Sequence, residues 1–229
     1  MPVFFSFRLG PALAGGIVAD MQPAFDPQPI VLPGRHVRLE PLARHHAEAL
    51  FTAGCDPSIW TYLPMPQFAS VNDAQKWIED ALIARDTGAE VPYATVRLSD
   101  GVVVGSTRFL DIRRPHRTLE IGWTWLAPEA QRTPVNTEAK FLMLRHAFET
   151  LGAVRLQLKT DERNARSRAA ITRLGAVFEG ILRNYQTRLH DGYVRNTAMF
   201  SITSAEWPAV RTQLEARLQK GQGGLSLIR

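Results

Sequence analysis

From residue 35 onward, apolar and polar positions recur with periods that change in a readable order. HVRLEPL (36–42) alternates like a half-buried strand, and ARHHAEALFTAG (43–54) follows as a helix closing at Gly54. After the turn-rich aromatic segment DPSIWTYLPMPQFA (56–69), Ser70 stands as an N-cap with Asp73 three residues on. The helix it opens carries an apolar stripe of Trp77, Ile78, Ala81 and Leu82. VPYATVRL and VVVGSTRFLDI flank Asp100-Gly101 as a hairpin. A strand over Thr118 to Leu126 runs into a loop, Ala127 to Pro134, and a helix from about Val135 to Thr150 that closes at Gly152. VRLQLKT is a short strand and NARSRAAITRLG a helix. AVFEGILRNYQTRL and YVRNTAMFSIT form a second hairpin about His190-Asp191-Gly192, and SAEWPAVRTQLEARL is a last helix. This order, without internal repeat or linker over 35–219, predicts one α+β or mixed α/β domain.

Residues 1–34 break the pattern. The first 20 are apolar with Gly and Pro, and the Pro-rich stretch after them is extended; together they are expected to be a poorly ordered leader. The segment lacks the basic n-region of a signal peptide, and an upstream start with Met21 as initiator is the other reading. Residues 220–229 are expected to be a tail.

The 229 residues are 45% hydrophobic, ordinary for a globular core, and no apolar run reaches the roughly 20 residues that span a bilayer. A net charge of +5 suits an anionic ligand, but Lys and Arg are scattered and no zinc-finger or RNA-binding signature appears, so neither nucleic acid nor membrane is expected as partner. Cys55, the single cysteine, excludes an intrachain disulfide and a cysteine-based metal site and suits a reducing compartment such as the cytoplasm. It is expected to be a small buried side chain. His45 and His46 are expected at the surface, with no metal, because no spacing supplies further ligands.

A strand delivering a loop to a helix N-terminus makes an anion site, because the first helical amides lack intrahelical acceptors and the helix dipole favours negative charge. Here the loop offers Gln131, Arg132 and Thr133, and the first turn adds Val135, Asn136 and Thr137. An ordinary β–α turn without ligand is the bland alternative.

Three blocks together resemble the GCN5-related N-acetyltransferase superfamily over roughly residues 35–219: LEIGWTWLAPEAQRTPVNTEAK, LQLKTDERNARSRAAITRLGAVFEG and DGYVRNTAMFSITSAEWPAV. They look most like the branch that includes the ribosomal-protein-alanine N-acetyltransferases. The resemblance implies the acyl-CoA N-acyltransferase fold, a mostly antiparallel twisted sheet flanked by helices. It also implies transfer of acetyl from acetyl-CoA, without a metal, to a primary amine. The acceptor is a small-molecule amine or a protein N-terminus; an acidic groove beside the acceptor pocket would favour the latter. A CoA-binding sensor without turnover is the non-enzymatic alternative. Many relatives are dimers, so a homodimer is the oligomeric expectation, although no isologous patch is legible.

The loop departs from the family pattern Gln/Arg-x-x-Gly-x-Gly/Ala. Gln131 is present, but Pro134 and Asn136 stand where glycines are expected, so one amide donor is lost and side chains must take part of the role. The resemblance implies that Glu120 is the base, acting through water; its alternative is a solvent-facing strand carboxylate paired with Arg108 or Arg117. Gln186 matches the position of a second glutamate in the ribosomal-protein branch and cannot act as a base. Ser167 would lie near the CoA sulfur and Asn164 would bond the pantetheine arm, unless both are ordinary helix caps. Arg163, Arg166 and Arg168 would meet the 3′-phosphate or form a solvated basic face. Trp60, Tyr62, Phe68 and Trp123 would wall the acceptor pocket, or pack in the core. His146 is expected to be a satisfied, half-buried side chain rather than a catalyst.

Overall fold

The computed structural model describes residues 25–220. Eight strands form one sheet: β1 (Leu32–Pro33), β2 (Val37–Pro41), β3 (Val91–Arg97), β4 (Val103–Arg113), β5 (Thr118–Leu126), β6 (Arg155–Asp161), β7 (Val177–Thr187) and β8 (Val194–Thr203). Their order is β1-β2-β3-β4-β5-β6-β8-β7, antiparallel throughout except for the parallel pair β5–β6. Five α-helices flank it: α1 (Ala47–Ala53), α2 (Val71–Asp86), α3 (Pro134–Arg145), α4 (Ala165–Arg173) and α5 (Trp207–Lys220). A π-helical turn, His146–Thr150, prolongs α3, and Gly152 follows in the left-handed region at φ 66°.

Each face of the sheet has its own core. Leu119, Ile121, Leu156, Phe200 and Ile202 pack under α3 and α5, and Trp60, Phe68, Trp77 and Trp125 pack with α1 and α2 on the other face. Burying an aromatic side chain of this size stabilises by about 1.5–3 kcal/mol. The capping box at Ser70 and Asp73 forms as expected, with Ser70 Oγ accepting from the Asp73 amide and Asp73 accepting from the Ser70 amide. The carboxylate of Glu138 on α3 accepts three backbone amides, those of Arg35, His36 and Val37, at 2.6–2.9 Å. One buried side chain thereby ties the first hairpin to the helix that opens the site.

The domain starts earlier than the sequence suggests. Phe25 is buried in the main core, Asp26 bonds Arg114, and Leu32–Pro33 pairs with β2. Residues 25–34 therefore pack with the domain, because their few apolar side chains find the sheet edge; of the leader expected over 1–34 and the tail expected over 220–229, residues 1–24 and 221–229 lie outside the described residues. Among the described residues no helix is long and apolar enough to cross a membrane.

Candidate active site

The cleft originates in a fault in the sheet. β5 and β6 pair only over Thr118–Glu120 and Arg155–Gln157, after which β6 continues with β8 and no longer with β5. Just beyond this point β5 bulges. Its register with β4 passes from Arg108–Gly122 to Ser106–Trp125, so Trp123 and Thr124 together oppose Thr107. Trp123 adopts φ 49°, a left-handed conformation that a bulky residue holds only when its surroundings enforce it. A bulge bends and twists its strand, which steers β5 away from β6. Into the gap open the loop before α3 and the start of α4, enclosing a cavity of about 760 Å³, within the range of ligand sites.

At one end lies the loop, lined by Gln131, Arg132, Thr133, Asn136 and Thr137. Arg132 stands at φ 60°. Thr133 caps α3: its Oγ1 donates to the Ala130 carbonyl and accepts from the Val135 amide. The helix begins at Pro134, one residue earlier than the pattern suggests, because proline's fixed φ suits the first helical position. The amide of Thr137 is thus directed at the Thr133 carbonyl within the helix, and that of Val135 is spent on the cap. Of the three amides expected to face a ligand, that of Asn136 is the one left over. Gln131 spans the loop, donating to the Leu126 carbonyl and accepting from Arg166 at 2.8 Å. Next to this polar, cationic end, Ile121, Leu158 and Ile171 line an apolar passage. Asn164 and Ser167 also line the cavity; the Asn164 side chain caps α4 by accepting the Ser167 amide at 2.9 Å.

At the apex of the cleft lies Glu120, 1% exposed. Its carboxylate meets Lys159 Nζ and Gln157 Nε2, each at 3.0 Å. Burial pushes its carboxyl above the usual range, against the Lys159 ammonium that holds it down. Arg108, one of the alternative partners, is taken up elsewhere: it pairs with Glu90 at 2.5 Å and lies between the rings of Trp77 and Trp123. Under the bulge, Lys140 Nζ donates to the hydroxyls of Thr107 at 2.8 Å and Thr124 at 2.5 Å. No carboxylate pairs with it among the described residues, and burial brings its ammonium down to about 7. Tyr185, Gln186 and Arg195 complete this end, with Tyr62 and Trp123 on the wall.

One cavity thus joins the loop before α3 to the buried carboxylate of Glu120, and the comparisons with known proteins name the family. The model of the acetyltransferase (GNAT) domain matches residues 36–177. The chain belongs to the GNAT acetyltransferases. The GCN5-related N-acetyltransferase from Brucella melitensis superposes with a TM-score of 0.81 at 30% identity, over 87% of this chain and 90% of that one. The uncharacterized N-acetyltransferase YoaA of Bacillus subtilis is 23% identical over 164 residues, 72% of this chain and 91% of that protein. As a GNAT acetyltransferase the protein is an acyl-CoA-dependent enzyme of N-acetyl transfer, with the fold expected from its sequence.

Several residues of this GNAT domain lie elsewhere than expected. Trp60 and Phe68 are 5% and 4% exposed, pack edge to face at 4.7 Å in the smaller core and do not line the cavity. The Val135 side chain is likewise core. The bulge also breaks strict alternation along β5: Thr124 turns toward α3 while Trp125 joins the α1–α2 side. His46 is buried, its Nδ1 accepting the Ala43 amide and its Nε2 facing Glu40 at 3.3 Å; only its neighbour His45 is exposed. Glu40, His45 and His46 do bring ligand atoms within 4.8 Å of one another, but both His46 nitrogens are already engaged. Cys55 is exposed in the turn after Gly54, beyond the buried face of α1. His146 packs beside Phe109, is more deeply buried than half, and its Nε2 lacks a partner. Sequence reasoning missed Lys140, Lys159 and Arg195. The signal for Lys140 was a lone lysine inside EAKFLML, and for Lys159 its alternation with Gln157 on a strand neighbouring Glu120.

Proposed function

We propose that this protein transfers an acyl group, acetyl first among them, from acyl-CoA to a primary amine of a small molecule by direct attack. The observation that carries the reading is the continuity of one cavity from the anion-receiving loop to the buried Glu120. Acyl-CoA bound there supplies an activated thioester. Arg132, Thr133 and the amide of Asn136 hold the diphosphate, Gln131 and Arg166 brace the loop, and Asn164 orients the pantetheine arm. Ser167 delivers a proton to the departing thiolate. Glu120 takes the proton of the ammonium through a water; a free α-amine, with a pKa of about 8, is largely protonated near neutrality and must lose that proton before attack. Tyr62 and Trp123 wall the acceptor. Against a basic peptide N-terminus stands the cationic lining of Lys159 and Arg195, where an acidic groove would be needed.

Thiol release from acetyl-CoA across a panel of primary amines tests the activity. Glu120→Gln should lower kcat by about 10²–10⁴-fold and remove the acid limb of the pH profile. That limb should lie above the ordinary carboxylate range, because burial raises the Glu120 carboxyl. An unchanged rate and profile in Glu120→Gln removes Glu120 from the role of base.

A further inference from the structure

Arg195 is the least explained charge in the cavity. It lies on β8, lines the cavity, and is 5% exposed. Its Nε is buried without a hydrogen-bond partner, and no carboxylate among the described residues comes within ion-pair distance of its guanidinium. The two nearest carboxylates that act on it at longer range, Asp161 and Glu120, are committed elsewhere. Asp161 accepts the Arg163 amide at 2.9 Å and pairs with the Arg163 guanidinium, and Glu120 is held by Lys159 and Gln157. A desolvated guanidinium left without a partner is strongly disfavoured, and its five fixed donors match a carboxylate in two-point fashion.

Lys159 strengthens the case. It sits beside the Tyr185 ring at 5.2 Å and pairs with Glu120, so this end of the cavity already holds one cation for the carboxylate the chain supplies there. Arg195 is a second cation without a carboxylate of its own. The surplus positive charge lines the same cavity as Glu120 and lies close enough to it to feel its charge.

We propose that Arg195 receives a substrate carboxylate, so that this enzyme acts where one of its two substrates carries a carboxylate near the reacting centre. The inference rests on the acyl-transfer reading above. The carboxylate comes either with the acceptor, as in an amino acid, or with the acyl group, as in a succinyl thioester.

Thiol release measured in two arms separates these sources. In the first, acetyl-CoA is offered with amino acids and with their carboxamides; in the second, acetyl-CoA and succinyl-CoA are compared on one amine that carries no carboxylate. Wild-type kcat/KM should favour the carboxylate-bearing member by at least about tenfold in one arm, and that arm names the source. Arg195→Gln should bring the ratio close to one, and Arg195→Lys should keep part of it; because each ratio is internal to one variant, a loss of folded enzyme cancels. A wild-type ratio near one in both arms, or a preference that survives Arg195→Gln, overturns the proposal. Absence of thiol release with every amine overturns the acyl-transfer reading and this proposal with it, whereas release without carboxylate preference overturns this proposal alone.

Discussion

Replacing Lys140 by Met should make the protein more stable near neutrality and below. The lysine is 4% exposed, its partners are two uncharged hydroxyls, and burial brings its pKa from 10.5 to about 7. A fall of about 3.5 on the pH scale corresponds to about 5 kcal/mol of cost for the protonated form in the folded chain. Between pH 7 and 10.5 the unfolded chain binds a proton that the folded chain lacks, so wild-type stability rises with pH by about 1.4 kcal/mol per unit in that window. Below pH 7 both states carry the proton and the full cost is present; above 10.5 it disappears. Methionine has no such cost. It loses the two hydrogen bonds, about 1–2 kcal/mol together, but Thr107 and Thr124 still bond each other at 2.8 Å. Urea unfolding at pH 6, 7.5, 9 and 10 gives the difference between variant and wild type. The variant should lead by a few kcal/mol at pH 6 and lose its lead by pH 10. A difference that stays flat across this range would mean that Lys140 keeps its ordinary pKa and that the reasoning from burial fails.

Two further predictions concern the frame of the site. Glu138→Ala leaves the amides of Arg35, His36 and Val37 without their acceptor and should cost about 3–6 kcal/mol in urea unfolding; a loss under 1 kcal/mol would show that water replaces the carboxylate. Thr133→Ala removes the cap of α3 and should cost about 1 kcal/mol of stability, with a weaker affinity for acetyl-CoA in calorimetry; unchanged affinity would take Thr133 out of the diphosphate contacts.

Much of the frame was legible because it rests on local rules. The Ser70 cap needs only its own turn, and the strand from Thr118 to Leu126 needs only its apolar positions. What escaped depends on the third dimension. One left-handed residue, Trp123, reverses the facing of everything after it, and strict alternation cannot foresee it. The helix α3 is enclosed by the sheet and α5, so its polar positions Glu138 and Lys140 are buried where an amphipathic reading puts them in water. Trp60 and Phe68 lie in an irregular segment whose sequence does not distinguish a pocket wall from a core. The partners of Glu120 come from β6, whose pairing with β5 follows a long crossover. For the loop at 127–137, read from its sequence as an anion site, which amides remain free turns on whether the helix starts at residue 134 or 135.

In the proposed function, acyl-CoA lies in the cleft between β5 and β6 with its diphosphate over Arg132 to Asn136. Calorimetric titration with acetyl-CoA and with acetylpantetheine, which lacks the nucleotide and diphosphate, tests it most directly. Acetyl-CoA should bind in the micromolar range and acetylpantetheine more weakly by about 100-fold or more, or about 2.7 kcal/mol. Equal affinity for the two, or no binding of acetyl-CoA at tens of micromolar, would contradict it.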